Sequence, residues 1–131
     1  YSLSKNTVWH ELSHAIDRRL AWDATYRDEA LFTEEGWSAL NPDGFTYTGE
    51  YGSLGTNIQP EWYSYFIDDY SMINAAEDRA RIFEYAVENS GTLFRDAPGL
   101  IAKLQYYSDC IRDCFDTALW PEITAWEAPL H

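Results

Sequence analysis

Basic residues, cysteine, methionine and histidine are scarce in this sequence. Its 131 residues contain nine Lys and Arg against 22 Asp and Glu, with two Cys, one Met and three His. The formal charge of -13 at pH 7 repels nucleic-acid phosphates and anionic lipid headgroups, so we expect neither as a partner. No run reaches the roughly 20 apolar residues that span a bilayer, and membrane insertion is therefore not expected.

Apolar residues, in contrast, are abundant. Hydrophobic residues make up 46% of the chain and aromatic residues 17%, which is typical of a packed globular protein. The length suits one domain over residues 1–131, and no flexible linker or internal repeat divides it. The sequence starts at Tyr1 with neither Met nor a secretory signal, which is typical of a processed product or an excised fragment. The absence of a signal here therefore does not exclude secretion of the parent protein.

Apolar residues at helical spacing predict a mainly helical fold. The predicted helices cover residues 6–20, 28–40, 74–91 and 101–118. Asn6 is placed to cap the first helix, a turn at 41–44 ends the second, and a short helical turn opens at Pro60. Residues 45–58 include three glycines and predict a long irregular loop with room for a short β-hairpin.

The first predicted helix contains the pattern His10-Glu11-Leu12-Ser13-His14. One helical turn separates the two imidazoles, so both can reach a single ion on one face. Zinc suits imidazole nitrogens, and a catalytic zinc site has three protein ligands and one position for water. Glu11 is rotated away from that face yet close enough to act as general base on the water. The competing interpretation is a surface helix whose two histidines are solvated.

A third zinc ligand has to come from another segment. His131, the remaining histidine, is the last residue, which leaves a carboxylate. Glu77 is the best placed, because it begins a predicted helix that can pack against the first and its charge suits the helix dipole. Asn74 and Glu77 also have the spacing of a capping box, in which the Glu77 side chain would bond the Asn74 backbone. Spacing alone leaves both roles open.

Two segments together resemble one protein family. The first segment covers residues 10–17. The second runs from Tyr70 to Phe83 and begins with the pattern Y-x-x-x-N-x-x-E-x-x-A. These segments are similar to the gluzincin metallopeptidases, and within them to the group that includes the catalytic domain of anthrax lethal factor. The resemblance implies that Glu77 is the third zinc ligand and that Tyr70 donates a hydroxyl to the transition state. It also implies a zincin-like α+β core, a zinc cofactor and a peptide or protein substrate.

The chain departs from that family at two points. Members often carry an acid one turn after the third ligand, where this chain has Arg81, so the surroundings of the ligands must be built differently. Zincins also have a sheet before the H-E-x-x-H helix, and few residues precede His10. We therefore expect a fragment that lacks the upstream sheet, a lack that affects peptide binding more than metal binding.

Three residues that lie near the candidate zinc ligands in the sequence allow two interpretations each. Asp17 lies one turn beyond the second histidine, placed either to orient an imidazole or to pair with Arg18 or Arg79. Asp78 is a candidate for the same orienting role, and more simply a first-turn acid that suits the helix dipole. Tyr70, without the resemblance, is more typical of half-buried packing than of catalysis.

The cysteines and tryptophans require no special chemistry. A disulfide between Cys110 and Cys114, four residues apart on one predicted helix, would be strained, so we expect free thiols. Core packing explains the six tryptophans better than an apolar substrate groove does.

The leading interpretation is a zinc metallopeptidase domain, with Glu11 as general base and Tyr70 as oxyanion donor. Its rival is a zinc-binding module without catalysis, either a pseudo-peptidase or an interaction domain, in which His10, His14 and Glu77 hold the fold together. A fourth protein ligand would favour the rival, and an open position would favour the enzyme.

Overall fold

A computed structural model describes residues 5–49, 59–88 and 90–131, and within these ranges the chain is helical and forms no strand. The α-helices are α1 (Lys5–Tyr26), α2 (Glu34–Ser38), α3 (Ala75–Glu88), α4 (Ser90–Arg95) and α5 (Pro98–Cys114). Three 3₁₀ segments cover Pro60–Ser64, Asp69–Met72 and Ala125–Leu130. The prediction of a mainly helical fold is confirmed. Among the described helices, none is both long and apolar enough to cross a membrane.

Helix α1 is longer than predicted. It begins before Asn6, which therefore lies inside the helix instead of capping it, and it ends at Tyr26. Arg27 follows directly, and its Nη2 contacts Asp23 one turn earlier at 2.7 Å and Asp113 of α5 at 2.6 Å. These two ion pairs fasten the end of α1 to α5, a long-range contact that the periodicity of α1 does not reveal.

The helix predicted over residues 28–40 is wrong, because only α2 within it is helical. The backbone N–H of Leu31 donates to Asp113 Oδ2 at 2.9 Å. The backbone N–H of Thr33 donates to the Tyr106 hydroxyl at 3.0 Å. Side chains of α5 thus bond backbone N–H groups in the stretch where the longer helix was predicted.

Helix α3 corresponds to the helix predicted over 74–91, and residue 89 lies outside the described residues. Asn74 caps it, since its Oδ1 accepts from the backbone N–H of Glu77 at 2.8 Å. The helix predicted over 101–118 begins earlier, at Pro98, and ends earlier, at Cys114. Proline suits that first turn because it has no N–H to leave unpaired. Helix α4 and the last 3₁₀ segment were not predicted, since both are too short for a clear apolar period.

The turn predicted at residues 41–44 is confirmed. The backbone N–H of Phe45 donates to the carbonyl of Pro42 at 3.1 Å. Gly44 has a φ of 82°, a conformation that favours glycine. The helical turn predicted to open at Pro60 is also confirmed, as the 3₁₀ segment Pro60–Ser64.

The chain after this turn runs beside the Asp69–Met72 segment. The N–H groups of residues 48 and 49 donate to the carbonyls of residues 72 and 73, at 2.9 and 2.8 Å. No strand forms over residues 45–49, and the rest of the predicted loop and hairpin, residues 50–58, lies outside the described residues. The pairing holds residues 48 and 49 next to the segment that carries Tyr70.

The hydrophobic core lies between α1, α3 and α5. Its buried members come from all five helices and from the segments that join them. They are Leu20, Phe32, Trp37, Ile82, Phe83, Ala86, Phe94, Ala97, Leu100, Leu104, Tyr107, Cys110 and Ile111. Because α1 packs along α3, the face of α1 that carries His10 and His14 meets the first half of α3.

Candidate metal centre

The two imidazoles of α1 lie side by side. His10 and His14 are one turn apart, their ring centroids are 4.9 Å apart, and the ring planes are nearly perpendicular at 79°. Their side chains are 12% and 19% exposed. The alternative of two freely solvated histidines on a surface helix therefore does not describe this pair.

One carboxylate of α3 faces both rings. Glu77 Oε2 lies 2.9 Å from His10 Nε2, and Glu77 Oε1 lies 3.1 Å from His14 Nε2. The backbone of Glu77 is bonded to the Asn74 cap, while its side chain reaches the imidazoles. Of the two roles that spacing left open for Glu77, the structure places its carboxylate with the histidines.

A second carboxylate of α3 faces the other nitrogen of His10. Glu84 Oε1 lies 2.9 Å from His10 Nδ1, and the same oxygen accepts from Arg81 Nη1 at 2.8 Å. The Glu84 side chain is only 3% exposed. Burial alone would raise the pKa of this carboxyl, but the hydrogen bonds from His10 and Arg81 outweigh burial and lower it.

His10 lies between two carboxylates, so its surroundings favour a positive charge, either a proton or a metal ion. A neutral imidazole has only one N–H, but both ring nitrogens of His10 face a carboxylate oxygen, so in either tautomer the second contact needs an additional proton or a metal ion. The hydrogen bond to Glu84 is the main reason that the pKa of His10 is raised, and Glu77 adds to the effect against the opposing influence of burial. Two imidazole nitrogens and one carboxylate around a shared point are also donor atoms that suit a zinc ion.

Glu11 lies next to this point without bonding to either ring. It is exposed, and its carboxylate forms with the ligand atoms of His10 and His14 a group that could hold a metal ion, since these atoms all lie within 4.8 Å of one another. This spacing allows Glu11 either to ligate an ion held by the two histidines or to reach a water bound to that ion.

Tyr70 borders the same place from the Asp69–Met72 segment. Its ring centroid is 6.0 Å from that of His10. Burial and the nearby charge of Glu77, with which its side chain also forms a hydrogen bond, raise the pKa of Tyr70. An open cleft of about 580 Å³ beside it is lined by Asp68, Asp69, Tyr70 and Arg81.

Asp17 and Asp78, both proposed from the sequence to orient an imidazole, have other partners. Asp17 Oδ2 pairs with Arg79 Nε at 2.8 Å, the ion pair that was the alternative for this residue, although it is buried and not on the surface. Asp78 is fully buried, and its Oδ2 accepts from Lys103 Nζ at 2.8 Å and from the Tyr47 hydroxyl at 2.8 Å. Both acids hold helices together instead of contacting the histidines.

The two thiols, Cys110 and Cys114, are free, as expected. Burial raises the pKa of Cys110 to about 12, so this thiol is not ionised at neutral pH.

Glu84 is the residue of this centre that the sequence analysis missed. It follows Glu77 by seven residues, which is two turns, and therefore lies on the same face of α3. That spacing was visible in the sequence and would have been the signal.

Comparisons with protein-family models, with curated proteins and with solved structures find no match to this chain.

Proposed function

We propose that this chain is a zincin-like domain of a zinc-dependent peptidase. The observation that carries the proposal is the arrangement of His10 and His14 around one carboxylate, that of Glu77, with a second acid, Glu11, beside them. The ring of Tyr70 stands next to the same point. This combination of two imidazoles, one acidic ligand, a free acid and a phenol is the set of groups that metal-assisted hydrolysis of an amide uses.

His10, His14 and Glu77 would hold the ion. Their donor atoms, two imidazole nitrogens and a carboxylate, are those that catalytic zinc prefers. When bound, zinc supplies a Lewis acid that polarises a carbonyl group and lowers the pKa of water toward 7. Helix α1 supplies two of the ligands and α3 the third, so the packing of these helices determines whether the site is complete.

Glu11 is the proposed general base. Its exposed carboxylate takes a proton from the attacking water and then passes it to the amine that leaves as the peptide bond breaks. Tyr70 donates its hydroxyl proton in a hydrogen bond to the carbonyl oxygen as negative charge develops there. The cleft beside Tyr70 offers space for the flanking residues of a peptide.

The test uses Glu11→Gln, which removes the base and leaves the three ligands unchanged. We expect the variant to bind one equivalent of zinc with the affinity of the wild-type chain and to lose peptide hydrolysis by about 10²- to 10⁴-fold. Metal analysis after dialysis and turnover of a fluorogenic peptide library measure the two properties. The matched control is Glu29→Gln, an equal change at an exposed position between α1 and α2.

Each alternative has its own result. Equal hydrolysis by wild type and Glu11→Gln would contradict the assignment of the base. Stoichiometric zinc in a wild-type chain that hydrolyses no peptide would favour the non-catalytic zinc module instead. Loss of zinc from His14→Ala is expected in both cases, and its retention there would contradict the metal site itself.

A further inference from the structure

We propose that Arg81 is a positioning residue that holds His10 and Tyr70 in place at once, through Glu84 on one side and through the ring of Tyr70 on the other. The inference rests on the proposed function, since it concerns how this chain supports a zinc ligand and a hydroxyl donor. Arg81 is the position at which this chain departs from the gluzincin pattern, whose members often carry an acid there.

The first connection runs from Arg81 to His10. Both Arg81 Nη1 and His10 Nδ1 contact the same oxygen, Glu84 Oε1, at 2.8 and 2.9 Å. This carboxylate is almost completely buried, so it has little water to compete for its lone pairs. Arg81 therefore fixes the oxygen that fixes the ring of His10. A carboxylate on Nδ1 leaves Nε2 as the nitrogen that faces the metal position.

The second connection runs from Arg81 to Tyr70. The guanidinium carbon lies 4.4 Å from the centroid of the Tyr70 ring, well inside the range of a cation–π interaction. Arg81 Nε also lies 3.4 Å from Asp68 Oδ2. Asp68 in turn caps the segment that carries Tyr70, because its Oδ1 accepts from the Ser71 backbone N–H at 3.1 Å. Arg81 thus holds both the ring and the short segment beneath it.

The geometry requires arginine in particular. The planar guanidinium presents several N–H groups and a flat face, so it can bond Glu84, pair with Asp68 and cover an aromatic ring at once. A lysine ammonium is a single point and can satisfy only part of this set. The arrangement thus couples two groups with different tasks, a metal ligand and a hydroxyl donor, to one side chain.

The first experiment measures zinc binding, which does not depend on turnover. We expect Arg81→Met to raise the zinc Kd by about 10- to 100-fold, the usual effect of losing an outer hydrogen-bond partner, and to shift the visible absorption bands of the cobalt-substituted protein. Glu84→Gln should change both properties in the same direction. The double variant should be little worse than the worse single one, because both act through one bond. Arg95→Met, an equal charge change at an exposed position on α4, is the control.

The second experiment tests the connection from Arg81 to Tyr70 separately from the connection to His10. We expect Arg81→Met to lower kcat with KM nearly unchanged, and to lower it by a smaller factor in a Tyr70→Phe background than in the wild type. Arg81→Lys should recover part of both effects. It replaces Arg81→Met in these measurements if the methionine variant does not fold.

The outcomes distinguish the two proposals. An Arg81→Met protein with wild-type zinc Kd and cobalt spectrum but a lower Tm would overturn this inference and leave the peptidase proposal standing, since Arg81 would then only join the segment to α3. Zinc binding that weakens as expected in a chain without peptidase activity would support the inference and overturn the peptidase. A wild-type chain that binds no zinc would overturn both.

Discussion

His10 shows most directly how single atoms define this site. Its Nδ1 faces one glutamate of α3 and its Nε2 faces another, at 2.9 Å in each case. Among the described residues, His14 contacts one glutamate, Glu77, at 3.1 Å. The two histidines of the motif are therefore unequal, and His10 is the one whose orientation the protein determines from both sides.

At the residue scale, Glu77→Ala tests the third ligand. We expect it to weaken zinc binding by more than the roughly 10- to 100-fold that follows loss of an outer partner, because a ligand itself is removed. The start of α3 should survive, since the Asn74 cap bonds the backbone N–H of residue 77 and not its side chain. Competition with a chromophoric chelator measures the Kd, and circular dichroism checks the helix. Glu35→Ala, at an exposed position on α2, is the control.

Stoichiometric zinc of wild-type affinity in Glu77→Ala would contradict the assignment. It would point to Glu11 as the acidic ligand instead, since Glu11 is the other acid within reach of both histidines among the described residues.

At the scale of elements, α3 has two distinct faces. Glu77, Arg81 and Glu84 follow one another at spacings of four and three residues and face α1 and the Tyr70 segment. Ile82 and Phe83 are fully buried in the core. The core therefore sets the rotation of α3, and this rotation presents the three charged side chains to His10.

The last 3₁₀ segment, Ala125–Leu130, is bonded to α5 through the acid Glu127. Glu127 Oε1 accepts from Arg112 Nη2 at 2.6 Å and from the backbone N–H of Thr124 at 2.9 Å, and its other oxygen accepts from Ser108. Arg112 is the main reason that the pKa of Glu127 is far below its ordinary value, with burial opposing and Ser108 and Thr124 assisting.

This contact predicts a pH-dependent difference in stability. Because the folded-state pKa of Glu127 is lowered, its stabilisation is complete above the ordinary value of 4.5 and is lost as the pH falls toward the folded-state pKa. We expect Glu127→Gln to reduce the free energy of unfolding by about 1–3 kcal/mol at pH 7, and by progressively less below pH ~4.5. Urea unfolding across that pH range measures the difference.

Glu122→Gln is the matched control for Glu127→Gln, because residue 122 is exposed and bonds Arg112 through its backbone carbonyl only. A gap between wild type and Glu127→Gln that stays constant from pH 7 to the acid limit would contradict the electrostatic explanation.

At the scale of the whole molecule, more than half of the nine basic residues form ion pairs with acidic side chains. Those that form ion pairs within the described residues are Arg27, Arg79, Arg81, Lys103 and Arg112. Each joins segments distant in sequence, or supports the candidate site, so the strongly acidic balance of the chain does not mean that its positive charges are unimportant. Lys103 is the extreme case, since its side chain and that of Asp78 are both 0% exposed.

Lys103→Met tests that buried pair. Burial raises the pKa of Asp78 and lowers that of Lys103, and each group opposes the shift of the other. Removing the ammonium leaves a buried carboxylate without its partner, so we expect the free energy of unfolding to fall by about 3–5 kcal/mol. Adding Asp78→Asn should restore part of the loss, because the unpaired charge is then gone. Urea unfolding of the four proteins of this cycle measures the coupling.

A loss below ~1 kcal/mol in Lys103→Met would show that Asp78 takes up a proton or water at little cost. Arg95→Met provides the control for the change in net charge, since Arg95 is exposed.

Much of this structure follows from short-range patterns. Helical periodicity predicted α1, α3 and α5, the Asn74 cap follows from the position of an amide side chain before a helix, and the turn at 41–44 follows from Pro42 and Gly44. The spacing of His10 and His14 requires both imidazoles to share a face of any helix. These features depend on residues close together in the chain, so local patterns were enough to predict them.

The remaining features were decided by tertiary structure. Glu77 is 67 residues from His10 and Glu84 is 74 residues from it, and local spacing left Glu77 equally suited to capping its own helix. Likewise, Asp113 and Tyr106 of α5 satisfy backbone groups before α2 and prevent the longer helix predicted there. The physical reason is the same in both cases: a polar group near a helix end bonds whichever partner the packing brings within about 3 Å, and only the packed core selects that partner.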